Sequence, residues 1–226
     1  MLVMVKPAPS QGFLAYNDLA WEHGQLNRNI TTITSPNGDS GLPSMGELID
    51  FNSGDGTNVM MTVTGGSYIG AGQAQLGTEP ASGTDAHTLF DGFVSSQGSL
   101  SYVNTSADSL VLTFTGLDPD KVYDLAYYAQ RDAYAWDRAS LVTLSGQVSF
   151  TNTSCTATDN LNERGGVLFT GPSDPSTRLP SDNDRGYVVR YSGIIVGSDG
   201  EVVLTISFDG LVGSQFKGKY GSAVRL

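Results

Sequence analysis

Residues 131–138 of the chain gather Arg131, Asp132, Tyr134, Trp136, Asp137 and Arg138 inside the stretch YYAQRDAYAWDRAS. These residue types together are suited to sugars. A pyranose presents a face of C–H groups and an edge of hydroxyls, so an aromatic plate and a few polar forks recognise it. Trp136 or Tyr134 could be the plate. Arg131 and Arg138 could fork onto vicinal hydroxyls, or onto a sulfate or carboxylate of an acidic sugar. Asp132 and Asp137 could accept hydroxyl hydrogens. The same residues could instead pair with one another, with Trp136 packed on a neighbouring loop. Both readings stand at this point.

Other clusters are less specific. AYNDLAWEHGQLNRN holds Trp21 with Asn17, Asp18 and His23. It could line a ligand groove or place Asn17 and Asp18 on calcium; equally, Trp21 could be a core aromatic. GTDAHTLFDGF carries Asp85, His87 and Asp91. Hard oxygens this close in sequence can share a calcium, although the spacing is not that of an EF-hand loop. Alternatively Asp85 caps a short helix and Asp91-Gly92 forms a turn. Asp50, Asn52 and Asp55 in DFNSGDGTN, and the acids of SDNDRG at 181–186, are open to the same two readings.

Signals for catalysis are sparse. The two histidines, His23 and His87, leave little room for a His-rich metal centre. No nucleophile elbow, H-E-x-x-H helix or phosphate loop is present. A chain with 23 acids will contain carboxylate pairs whatever its function. Tyr127, Tyr128, Arg131 and His87 form the one constellation that a polysaccharide lyase or hydrolase could use. Asn29, Asn104 and Asn152 sit in N-x-S/T triplets, which arise by chance in so Asn-, Ser- and Thr-rich a chain.

The net charge of −11 disfavours nucleic acid and anionic membrane surfaces. A single cysteine, Cys155, excludes an internal disulfide and any cysteine-built metal cluster. No apolar run reaches the roughly 18 residues of a membrane span. Residues 1–11 resemble a linker or expression remnant, and 12–226 one domain.

The elements that must position these side chains are short strands. Only 15% of the 226 residues are charged, and 28 are glycine, a composition that favours turns over helices. Leu110, Leu112 and Phe114 alternate with Val111, Thr113 and Thr115, as Val202, Leu204, Ile206 and Phe208 do with Val203 and Thr205. GLDPDK and the SDG at 198–200 read as turns joining antiparallel neighbours. Further strands are expected at 59–64, 100–103, 141–144, 147–152 and 222–226. PSMGELIDF and TDAHTLFDGF could each give a turn or two of helix, and 35–43 and 170–185 read as long polar loops. The expected fold is all-β, an antiparallel β-sandwich.

The phrases AYNDLAW, GELIDFNSGDGTNVMMTVTGG, GTDAHTLFDGFV, LTFTGLDPDKVYDLAYYAQR, YVVRYSGIIVGSDGEVVLTIS and KYGSAVRL together resemble accessory β-sandwich domains of large secreted bacterial proteins. Such domains are jelly rolls of the galactose-binding-like kind, common among carbohydrate-binding modules, and the resemblance spans nearly all the chain from about residue 14. It implies a non-catalytic, extracellular or cell-surface module within a larger multi-domain protein. The implied partner is a polysaccharide or oligosaccharide, possibly algal or plant. It also implies a structural calcium but matches no ligand set; read from the residues themselves, Asp18, Asp85 and Asp91 are the candidate ligands. Trp136, Tyr134, Arg131, Arg138, Asp132, Asp137, Trp21 and His87 are the candidate sugar ligands. A spacer or adhesion domain without a small ligand is the alternative, followed by a polysaccharide-active enzyme.

Overall fold

The computed structural model describes residues 12–19, 29–36, 43–69, 79–94, 100–103, 108–130, 139–154, 171–180, 183, 186–210 and 219–226. Its strands are β1 (Tyr16–Asp18), β2 (Met45–Ile49), β3 (Gly56–Thr64), β4 (Ser67–Ile69), β5 (Leu100–Val103), β6 (Leu110–Thr115), β7 (Tyr123–Tyr128), β8 (Ala139–Ser145), β9 (Gln147–Asn152), β10 (Ser176–Pro180), β11 (Val189–Val196), β12 (Val202–Phe208), β13 (Lys219–Gly221) and β14 (Ala223–Arg225). One helix, α1 (Asp85–Phe90), lies among them. The fold is the expected all-β antiparallel sandwich. A five-stranded sheet ordered β1-β14-β7-β11-β9 faces a six-stranded sheet ordered β10-β8-β12-β6-β3-β2, and β13-β5-β4 form a small third sheet.

Period-two patterning builds the core. Leu110, Leu112, Phe114, Val202, Leu204 and Ile206 meet Leu125, Tyr127, Val189, Tyr191 and Val224 in one buried cluster between the sheets. A second, smaller cluster lies on the other face of the five-stranded sheet. There α1 lays Ala86 and Phe90 over Tyr16, Ala126, Tyr128, Val188 and Ala223. Phe90 stacks on Tyr128 with centroids 5.9 Å apart, and Tyr16 stacks on Phe93 at 4.9 Å. β7 is therefore covered on both faces over most of its length.

Several local expectations change. GLDPDK does not join hydrogen-bonded neighbours: β6 lies in the six-stranded sheet and β7 in the five-stranded one. The same holds for SDG between β11 and β12. From β6 to β12 every strand lies in the sheet opposite its predecessor, so these turns are corners that cross the sandwich. Corners demand backbone that a side chain would block. Gly200 has φ +63°, and an added Cβ would come within 2.5 Å of the Leu117 carbonyl oxygen. The corners also brace one another, since the Leu117 amide donates to the Gly200 carbonyl at 3.0 Å.

MGELI is strand β2, not helix; it pairs antiparallel with β3, and Gly46, a poor helix former, lets the Ile33 side chain approach closely. The polar segment 170–185 contains strand β10, paired with β8 along Ser176–Pro180. Pro180 is tolerated because β10 is an edge strand. The helix expected in TDAHTLFDGF is α1, but its N-cap is Thr84, whose Oγ1 accepts the His87 N–H at 3.2 Å. Asp85 occupies the first turn instead, where a carboxylate suits the helix dipole. Asp91 ends the helix, and Gly92 follows with φ +76°.

Candidate functional site

Among the described residues, one recess opens on the outer face of the five-stranded sheet beside the part α1 covers, and it adjoins another at the start of β7, where Phe13 and Tyr123 close the inter-sheet core. Strand order places β14, β7 and β11 side by side there. Arg225 and Arg190 both sit opposite Ala126, one on each flanking strand. With strands roughly 4.8 Å apart, the two arginine Cα atoms are separated by about 10 Å, with only a methyl group between them. Asp124, two residues back on the same face of β7, lies beside them.

Arg190, Arg225, Asp124, Ala126, Ser192 and the α1 residue Leu89 line a recess of about 60 Å³. That is roughly the share of two liquid waters, room for one small polar group. Arg225 also borders a larger recess of about 260 Å³, shared with Phe13, Leu14, Lys121, Val122 and Tyr123. This is below the roughly 300 Å³ typical of pockets that enclose a whole small molecule. Its walls are partly apolar: the Phe13 and Tyr123 rings lie 6.1 Å apart, and Val122 is 65% exposed. The two recesses meet at Arg225 and Asp124.

The charges here are arranged unusually. Five basic side chains fall among the described residues, and three have an oxygen partner. Lys121 pairs with Asp118 at 3.8 Å, Arg178 with buried Asp209 at 2.7 Å, and Lys219 donates to the Asp108 carbonyl. Arg190 and Arg225 have neither a salt bridge nor a side-chain hydrogen bond among the described residues. The Arg225 guanidinium instead lies 5.8 Å from the Tyr16 ring centroid, within cation–π range. Burial pushes the Tyr16 phenol up, against the pull of Arg225.

Asp124 is held by backbone. Register shifts in β11 between Tyr191 and Ile194, where Gly193 adopts φ +65° and donates its N–H to Asp124 Oδ1 at 2.9 Å. Such bulges commonly re-aim groups at sites. The arrangement offers two guanidinium forks, one acceptor and an apolar flank: the elements of an anion- or sugar-binding surface.

The residues singled out from sequence fare differently. Arg131, Asp132, Tyr134, Trp136, Asp137, Arg138 and Trp21 lie outside the described residues. Their segment follows the other end of β7: Gln130 and Ala139, which flank it, are both buried. Asp124 and Gln130 are six residues apart along an extended chain, roughly 20 Å. Sequence reasoning singled out none of the residues that line the arginine recess. The only signal was a single arginine in each of VVRYSG and AVRL, and nothing in either phrase places the two together.

His87 is on α1, its Nε2 3.3 Å from Asp91 Oδ2 within the same helix. Tyr127 and Tyr128 cannot join it in an open cleft. Tyr127 is sealed between the sheets, and Tyr128 is sealed under α1 with its hydroxyl on Gln130. The proposed enzyme constellation is thus not assembled by its tyrosines.

Asp18, Asp85 and Asp91 are not brought together in one cluster of metal-ligating side chains among the described residues. No group of three or more potential metal-ligating side chains occurs among the described residues. Asp91 faces His87, Asp85 starts α1, and Asp18 is buried at the end of β1. Asn17 is fully used by backbone, donating to the Ile33 carbonyl at 2.9 Å and accepting its N–H at 2.8 Å. Asp50 likewise organises a turn, accepting the Leu14 and Asn52 amides and the Ser53 hydroxyl. The Asn152 amide is buried and donates to the Asp174 carbonyl and Thr177 Oγ1, which removes it as an acceptor for glycans.

Comparisons of the chain with protein families, with curated proteins and with solved structures found no match. Among the described residues no helix is long and apolar enough to cross a membrane.

Proposed function

We propose that the chain is a non-catalytic carbohydrate-binding domain, acting at the cell surface or outside the cell as part of a larger protein. The supporting observation is the pair of arginines without ion partners on an open sheet face, next to Phe13, Tyr123 and exposed Val122. A shallow, partly apolar recess with polar forks suits one ring or substituent of a long polymer better than an enclosed small molecule. The likeness of the sequence to accessory sandwich domains points the same way. In this reading the aromatic and arginine residues of 131–138 supply a second contact region.

The test is affinity electrophoresis through gels containing different polysaccharides, with wild type and Trp136→Ala, each with and without chelator. Slowed migration of the wild type in at least one gel is expected. Loss of that retardation in Trp136→Ala would assign the 131–138 segment a direct role; retention would leave binding to the arginine face. Migration unaffected by every polysaccharide would overturn the proposal in favour of a domain without a glycan ligand. Melting with and without chelator tests the implied structural calcium: a lower melting temperature after chelation is expected if calcium is bound, and an unchanged one counts against it.

A further inference from the structure

The arginine recess has a chemistry narrower than sugar binding in general. We infer that it is a subsite for an acidic sugar residue, one bearing a carboxylate or sulfate, with Arg190 and Arg225 gripping the anionic group and Asp124 receiving a hydroxyl. This rests on the carbohydrate-binding reading and specifies its ligand.

Two guanidinium groups lining one recess without a salt bridge among the described residues repel each other, and the single carboxylate beside them, Asp124, offsets only part of that repulsion. The protein as a whole carries a net charge of −11, so acids that could neutralise them are abundant elsewhere. The other described cations do have oxygen partners. The space between the arginines is kept open by Ala126, the smallest side chain on that face of β7. Its volume of about 60 Å³ matches one carboxylate or sulfate and not a sugar ring. The ring would occupy the adjoining recess of about 260 Å³, against Phe13, Tyr123 and Val122.

Asp124 refines the choice. A bare inorganic anion gains from both arginines but is repelled by the carboxylate beside them. The Gly193 N–H occupies Asp124 Oδ1 and leaves Oδ2 as an acceptor on a residue that lines both recesses. A sugar acid supplies an anionic group and hydroxyl donors within one residue, and so satisfies all three side chains. Non-specific attraction cannot mimic this, since the acidic protein as a whole repels an anionic polymer.

The experiment measures retardation of the whole domain in gels of a neutral polysaccharide, a uronate polymer and a sulfated polymer. Wild type, Arg190→Gln, Arg225→Gln and the double variant are compared, with Arg225→Lys to keep the charge while losing the fork. Thermal melting of each variant checks that it is folded. The wild type is expected to bind a uronate or sulfated polymer, and which of the two identifies the substituent. Each single Gln variant is expected to weaken that binding by about 10-fold or more, the scale of one charged hydrogen bond. The double variant should abolish it, and Arg225→Lys should fall between. Equal binding by the folded double variant overturns the inference, as does retardation by the neutral polymer alone; in both cases the broader carbohydrate reading survives. Failure of all three polymers removes both.

Discussion

Tyr191 carries two tasks that its position in the sequence does not announce. Its ring fills the inter-sheet core, while its hydroxyl reaches the carbonyl oxygens of Pro175 at 2.8 Å and Val142 at 3.1 Å. It thereby ties the five-stranded sheet to the β8–β10 edge of the other. Tyr191→Phe is expected to cost about 1–3 kcal/mol, read as a lower urea midpoint with unchanged slope. Burial pushes the phenols of both Tyr127 and Tyr191 well above the ordinary 10.0. The unfolded chain would release these protons first. Their contribution is therefore complete below about pH 10 and is lost as pH rises through the folded-state values. The urea midpoint should fall from pH 9.5 to about 11, and the Tyr127→Phe, Tyr191→Phe double variant should fall less steeply; an equal slope would refute the assignment. At this scale the sequence was informative about burial and poor about partnership. Alternation marked Leu112 or Leu204 as core, because period two is a local property. It could not reveal that Arg190 and Arg225 share a neighbour, because the strand between them comes from elsewhere in the chain.

Among the elements, β10 and the corner turns show where local patterning misleads. β10 was hidden by prolines and polar residues, yet it holds the edge of its sheet through the Arg178–Asp209 pair, whose Nε–Oδ2 distance is 2.7 Å. The Asp209 side chain is 1% exposed and that of Arg178 is 9%. Asp209→Ala leaves a buried guanidinium without its counter-ion and should cost about 3–5 kcal/mol. For a domain of this size that corresponds to a fall in Tm of roughly 10 °C, measurable by calorimetry. Replacing both residues with apolar ones of similar volume should restore most of the loss. The corners make a different prediction. Gly200→Ala combines positive φ with a Cβ 2.5 Å from a carbonyl oxygen, so it should destabilise by about 2 kcal/mol or more. Gly193→Ala, also at positive φ but with open space around the added methyl, should cost less. Turn chemistry was visible in SDG and GLDPDK. Whether a turn closes a hairpin or crosses between sheets was not, since both use the same residues and only the far strands decide.

For the molecule as a whole, the glycine- and turn-rich composition and the period-two alternation correctly bounded the fold class. The pairing order came from none of these, because a sandwich in which successive strands alternate between sheets depends on contacts far apart in sequence. Folding should be correspondingly slow, on the millisecond-to-second scale or longer, by stopped-flow refolding. One such contact joins the beginning and end of the described domain: Ala15 and Leu226 exchange both backbone hydrogen bonds, at 2.8 and 2.9 Å. Whatever is fused ahead of the sandwich and whatever is fused behind it would thus leave from the same corner. A unit whose two ends meet in this way would attach to any host at a single point and would add little to the length of a stalk.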